Sequence, residues 1–115
     1  MAASIRYDTV IVGGGIAGIT AALELLDQDQ RVCLLDRDTA DQFGGLARWS
    51  FGGIFFVDTP QQRFVGASDS PELALQDWTS FAEFDPEDTW PRRWAEQYVH
   101  RCTPDVYRWL RERGV

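Results

Sequence analysis

The chain has 115 residues, 44% of them apolar, with seven Phe, five Trp and three Tyr. That is about one small domain, and it is too rich in aromatic residues to be a disordered segment. A formal net charge of −7 speaks against a nucleic-acid partner or an anionic membrane surface, both of which call for a basic face.

All eleven basic residues are arginine. This reads as compositional bias, with forked recognition of phosphate or carboxylate by one or two of them as the functional alternative. Cys33 and Cys102 show no CxxC or metal-ligand spacing, so neither a disulfide framework nor a metal site is expected.

The stretch Met1 to Arg6 is short and neutral to basic, neither a signal peptide nor a membrane span, and a cytoplasmic location is expected. Tyr7 to Val12 then reads as a strand, on the β-branched run Val10-Ile11-Val12. Gly13, Gly14 and Gly15 end it. A helix is predicted from about Gly15 to Leu26, with Ile16, Ile19, Leu23 and Leu26 along one face. A polar turn at Asp27–Gln30 leads to a second strand, Arg31 to Asp36. Its unbroken apolar run, Val32-Cys33-Leu34-Leu35, suits a parallel sheet covered on both faces. Cys33 is expected as a small core residue. Strand, helix and strand together form a βαβ unit.

A glycine-rich stretch, Gly44 to Gly53, comes next, followed by the apolar run Ile54 to Val57, a strand or an extended segment. The remainder is helical in character. Ser70-Pro71-Glu72 is a helix start with Ser70 as N-cap, and Leu75, Trp78 and Phe81 are the expected buried face. Trp90-Pro91 marks a second start, with Trp94 and Tyr98 one turn apart. Thr103-Pro104-Asp105 marks a third, whose helix ends at Gly114. The fold class is α/β: a Rossmann-like βαβ unit with an incomplete parallel sheet over residues 1–58, then a mainly helical segment over 59–115.

Gly13-Gly14-Gly15-Ile16-Ala17-Gly18 matches G-x-G-x-x-G in its proper setting, after a strand and opening an amphipathic helix. Gly13 permits the tight turn, Gly15 lets backbone approach a pyrophosphate, and Gly18 lets helix and strand pack closely. The helix N-terminus offers N–H groups and a positive dipole end to phosphate. Asp36, 18 residues after Gly18, ends the second strand. A carboxylate there accepts bonds from both adenosine ribose hydroxyls and repels a 2′-phosphate, an inference that the adjacent Arg37 softens. The loop alone serves FAD and NAD equally. Two glycine pairs, Gly44-Gly45 and Gly52-Gly53, then flank Leu46 to Phe51, where a simple NAD domain would enter another helix. Paired glycines let backbone pass close to a planar ligand, although two ordinary turns around a short helix fit the same residues.

These stretches, with the tail segments Leu73 to Trp78 and Trp90 to Trp94, resemble the FAD-binding family of fumarate reductase and succinate dehydrogenase flavoproteins and 3-ketosteroid dehydrogenases. The resemblance covers nearly the whole chain. It implies a non-covalently bound FAD and oxidation or reduction at CH–CH groups, by hydride transfer between a substrate carbon and flavin N5. It places Gly13, Gly15, Ile16, Ala17 and Gly18 at the pyrophosphate and Asp36 with Arg37 at the adenosine ribose. Gly44, Gly45, Leu46, Ala47, Gly52 and Gly53 would lie along the pyrophosphate and isoalloxazine. Leu46 departs from the family, which often has a polar residue there.

Family members are several times longer. The chain is therefore expected to be an N-terminal portion that lacks the catalytic residues, its open sheet completed by a missing C-terminal part or a second chain, with a small-molecule substrate in the complete enzyme. The alternative is a truncated, non-catalytic FAD- or NAD-binding module covered by a partner chain. His100 is expected on the surface, and Tyr98 and Tyr107 as half-buried helix residues. Arg48 is a candidate for cofactor phosphate and Trp49 for packing near the adenine or flavin.

Overall fold

The computed structural model describes residues 4–115, so residues 1–3 of the N-terminal stretch lie outside it. The chain divides into two compact units, one ending at Gly53 and the other running Ile54–Val115. The division falls earlier than the 58/59 boundary read from the sequence, because Phe56 and Val57 pack into the core of the second unit.

In the first unit, β1 (Thr9–Val12) and β2 (Val32–Leu35) pair in parallel, Thr9 opposite Val32 and Val12 opposite Leu35. Both are shorter than expected. Asp8 and Arg31 instead close the base of the pair, with the Arg31 guanidinium on the Asp8 carboxylate at 3.1 and 3.2 Å. The crossover is α1 (Ile16–Leu26). The expected buried stripe is corrected here. Ile16 and Leu26 are exposed, as is Leu23 to a lesser degree, while Gly18, Ile19, Thr20, Ala22 and Leu25 are the half-buried positions. The helix is apolar nearly all round, and Gly18 lies beside Ile11 of the strand. Close approach selects the stripe with small residues. The sheet is covered on one face only: Val10, Val12 and Leu35 are 56%, 84% and 50% exposed. In β2, Val32, Cys33 and Leu34 are half-buried and Leu35 is exposed, so Cys33 is half-buried rather than core.

In the second unit, Ile54 to Val57 is extended without strand pairing. A short helix that the sequence reading omitted follows, α2 (Pro60–Phe64). Thr59 and Gln62 form a reciprocal capping box at its start, in the T-x-x-Q spacing that signals one. α3 (Pro71–Ala82) begins as predicted, with Ser70 Oγ accepting from the Leu73 amide at 3.1 Å. Ser70→Ala is expected to destabilise the unit by about 1 kcal/mol, read as a lowered thermal midpoint. The buried face of α3 is the predicted one only in part: Leu75 packs against the core and Trp78 makes edge contacts with Phe55 and Tyr98. Ala74 is buried and Leu75 half-buried, whereas Phe81 is 91% exposed.

α4 (Thr89–Arg101) buries Ala95 and Val99 and leaves Trp94 exposed. The predicted third start is also corrected. Thr103 and Pro104 sit inside a π-helical turn, Cys102–Tyr107, that runs from α4 directly into α5 (Arg108–Glu112). The wide turn accommodates the missing N–H and the ring of Pro104. Thr103 caps no helix; its hydroxyl donates to the Val57 carbonyl. Gly114, at φ +82°, ends the helix as expected. The core is Val57, Ala74, Val99 and Cys102, with Phe56, Leu75 and Tyr98 against it. Tyr98 donates to the Phe55 carbonyl at 2.7 Å. No helix among the described residues is long and apolar enough to cross a membrane.

Candidate functional site

The site is built at the carboxyl ends of the two strands of the first unit. The Gly13 amide donates to the Leu35 carbonyl at 2.7 Å, one step beyond the ladder, and the chain then turns at φ +107°. Only glycine takes that conformation without strain. Gly14 is buried, and its amide donates to Asp36 Oδ2 at 2.5 Å. Gly15 is the N-cap of α1 and supplies no side-chain cap, so the helix N-terminus keeps N–H groups and a positive dipole end for a ligand.

The glycines differ in what a side chain would meet. A Cβ on Gly15 would have nothing within 4 Å, so the missing side chain leaves open space. A Cβ on Gly18 would lie 1.8 Å from the Gly13 carbonyl oxygen. Gly18 therefore serves the turn itself as well as the packing of helix on strand. A Cβ on Gly45 would lie 3.1 Å from Gly15 Cα, so the second glycine pair comes backbone to backbone against the first loop. Gly44 and Gly45 both have positive φ, +122° and +61°, and the chain then makes a 3₁₀ turn over Gly45–Trp49. The short helix between glycine turns and the close approach to the loop are both present.

Asp36 joins strand and loop. Its Oδ2 takes the Gly14 amide and its Oδ1 the Asp38 amide at 2.8 Å. These bonds, the Asp38 one foremost, hold its carboxyl below the usual aspartate range. A carboxylate lowered on folding contributes fully above its unfolded value of about 3.9 and loses that contribution as pH falls through the lowered folded value. The Gly14 amide proton is expected to report this by NMR, titrating with a midpoint below about 3.9. A midpoint at or above that value would contradict the arrangement.

These groups line one cleft of about 440 Å³, formed by Val12, Gly13 to Gly15, Asp36 to Asp38, Gly45, Leu46 and Trp49. Of the residues expected at a cofactor, Gly13, Gly15, Asp36, Arg37, Gly45, Leu46 and the candidate Trp49 are brought together there. Ile16, Ala17, Gly18, Gly44, Ala47, Gly52 and Gly53 do not line it. Gly52 turns at φ +76° in open surroundings, and Gly53 lies beside the ring of Phe51. Arg48 is turned to the Asp41 carbonyl, with its guanidinium 6.0 Å from the Trp49 ring centre. Gly14 and Asp38 were not singled out from the sequence, although the glycine triplet and the second acid two residues after Asp36 were there to be read.

A family model described as FAD binding domain matches residues 8–115. The chain belongs to this FAD-binding family. The match decides for FAD where the loop alone left FAD and NAD open. Among individual proteins, the KsdD-like steroid dehydrogenase of Mycolicibacterium smegmatis is 50% identical over 109 residues, 94% of this chain and 20% of the relative. The KsdD-like steroid dehydrogenase of Mycobacterium tuberculosis is 49% identical over 115 residues, 99% of this chain and 20% of the relative. The fumarate reductase (cytochrome) of Shewanella frigidimarina is 37% identical over 70 residues, 61% of this chain and 12% of the relative. The chain thus spans 20% of the length of the steroid dehydrogenases it matches. No solved structure matches it.

The residues present fit the adenosine diphosphate half of FAD. Gly15 has open space where a side chain would stand, next to a helix N-terminus, and an ionised Asp36 lines the same cleft.

Proposed function

We propose that this chain forms the adenosine- and pyrophosphate-binding part of a flavin-dependent oxidoreductase acting on CH–CH groups, within a Rossmann-like βαβ unit. Gly13, Gly15 and the N-terminus of α1 receive the pyrophosphate, and Asp36 accepts from the adenosine ribose hydroxyls. The observation that carries this reading is the open space left by the absent Gly15 side chain at the start of α1, in one cleft with an ionised carboxylate.

The bound flavin supplies a hydride acceptor or donor at N5. This chain's residues bind and orient. The N–H groups at the helix start hold diphosphate charge by dipole and hydrogen bond. Asp36, fixed by the Gly14 and Asp38 amides, presents its remaining lone pairs to hydroxyl donors without reorganising. Steroid dehydrogenase and fumarate reductase relatives support reduction or oxidation of a carbon–carbon bond as the reaction type. Four-fifths of the length of the steroid dehydrogenase relatives lies outside the match. We assign the contacts to substrate, and the proton donor, to the counterpart of that sequence.

Titration of the chain with FAD, with NAD as control, followed by flavin fluorescence and calorimetry, tests the reading. FAD is expected to bind in preference to NAD. Gly15→Val is expected to abolish FAD binding with the circular dichroism unchanged, since φ −77° and the open space both admit a side chain. Preference for NAD, or FAD binding that Gly15→Val leaves intact, would sink it.

A further inference from the structure

The second unit carries a basic pocket on an acidic chain. Asp58, Arg63, Thr103, Tyr107, Arg108 and Arg111 are among the residues lining a cavity of about 320 Å³, while the whole chain carries a net charge of −7. The Arg63 guanidinium forks onto the Asp58 carboxylate, Nε to Oδ1 at 2.7 Å and Nη2 to Oδ2 at 2.6 Å. That pair cancels its own charge. Arg108 and Arg111 enter into no ion pair among the described residues. Arg111 donates to the Val115 main-chain oxygen at 3.0 Å.

The nearby acid Asp105 is already engaged by Arg101 at 2.6 Å. Two guanidinium groups three residues apart on one helix repel each other, and the carboxylate that lines the pocket, Asp58, is held by Arg63. The walls are nonetheless held in place. The Tyr107 hydroxyl donates to Gln61 Oε1 at 2.7 Å, and the Thr103 hydroxyl donates to the Val57 carbonyl. The π-helical turn is thereby tied to the segment that carries Asp58 and α2. Guanidinium groups match the planar geometry of carboxylate and phosphate oxygens. The volume stands at the small end of the range for ligand pockets, roughly 300–1,000 Å³, which suits a small molecule.

We propose that the Arg108–Arg111 pocket binds a small oxyanion, a molecule carrying phosphate or carboxylate groups, at a site that shares no residue with the cofactor cleft. This assigns a function to two of the arginines and is independent of the flavin reading. The test is calorimetric titration of the full chain with pyrophosphate and with succinate, at low salt and again in raised sodium chloride. It is run on the parent, on an Arg108→Gln, Arg111→Gln double variant, and on Gly15→Val.

At least one anion is expected to bind, more weakly at high salt. Which one binds tells phosphate from carboxylate recognition. The double variant is expected to weaken binding by roughly tenfold or more, and Gly15→Val to leave it unchanged. The Gly15 arm matters because pyrophosphate is also a fragment of FAD. Binding lost in Gly15→Val but kept in the arginine variant would overturn the proposal, since the anion would then sit at the glycine loop. Silence toward both anions would overturn it as well.

Discussion

Gly18→Ala is expected to destabilise the first unit by about 3 kcal/mol or more, while Gly15→Ala leaves its stability nearly unchanged. The contrast follows from what surrounds each position. At Gly18 an added methyl would stand 1.8 Å from the Gly13 carbonyl oxygen, and 3.4 Å from Ile11 Cγ2. The oxygen belongs to backbone, and its residue is pinned by the bond from the Gly13 amide to the Leu35 carbonyl. No rotamer change relieves the contact, so α1 must lift from the turn, and the packing of Ile19, Ala22 and Leu25 goes with it. At Gly15 the same methyl meets nothing within 4 Å. Amide hydrogen exchange of β1 and β2 is the measurement. Faster exchange in Gly18→Ala and parental exchange in Gly15→Ala are expected. Parental exchange in both would show that the turn tolerates a side chain and would undo the account of Gly18.

Asp36→Ala is expected to lower FAD affinity by about a hundredfold, the loss of two hydrogen bonds to a charged group at about 1.5 kcal/mol each. The carboxylate has two duties. It anchors the Gly14 and Asp38 amides, and it offers its remaining lone pairs to the ribose. Asp36→Asn keeps the shape and one carbonyl acceptor but removes the charge, so its affinity is expected to fall between those of the parent and Asp36→Ala. Calorimetry at neutral pH, where Asp36 is ionised, distinguishes the three. An alanine variant that binds FAD as the parent does would remove Asp36 from the site.

The parts of this molecule that were legible in the sequence are those set by local backbone chemistry. The glycine triplet, the Ser70-Pro71 start and the Gly114 stop each depend on a residue and its next few neighbours, and each is found where the spacing puts it. Faces of helices were less legible. α1 and α3 each carry more than one apolar stripe, and a pattern with two stripes does not say which one meets a neighbour. In α1 the choice is made by Gly18, through a close approach that the sequence shows only as a missing side chain. In α3 it falls on Ala74, a small residue that a search for large apolar side chains passes over. The Thr103-Pro104 pair misled for a different reason. A threonine before a proline has the chemistry of a helix start, but here the hydroxyl is taken by the Val57 carbonyl, 46 residues away. Of the candidate site, the loop, Asp36 and Gly45 were legible. Gly52-Gly53 were placed at the cofactor by the pairing of glycines and by resemblance, and they do not line the cleft.

The π-helical turn at Cys102–Tyr107 acts as an angular spacer. Each residue added to or taken from an α-helix swings everything beyond it by about 100° around the axis. The five-residue helix Arg108–Glu112 lies wholly beyond the turn and carries Arg108 and Arg111 of the pocket. Deleting one residue from the turn would therefore carry Arg108 and Arg111 around to another side of the rod and away from Arg63, even if every helical hydrogen bond re-formed. The charge pattern of that end of the chain is thus set by the count of residues in one wide turn, and a change of length there would be felt more strongly than a change of side chain.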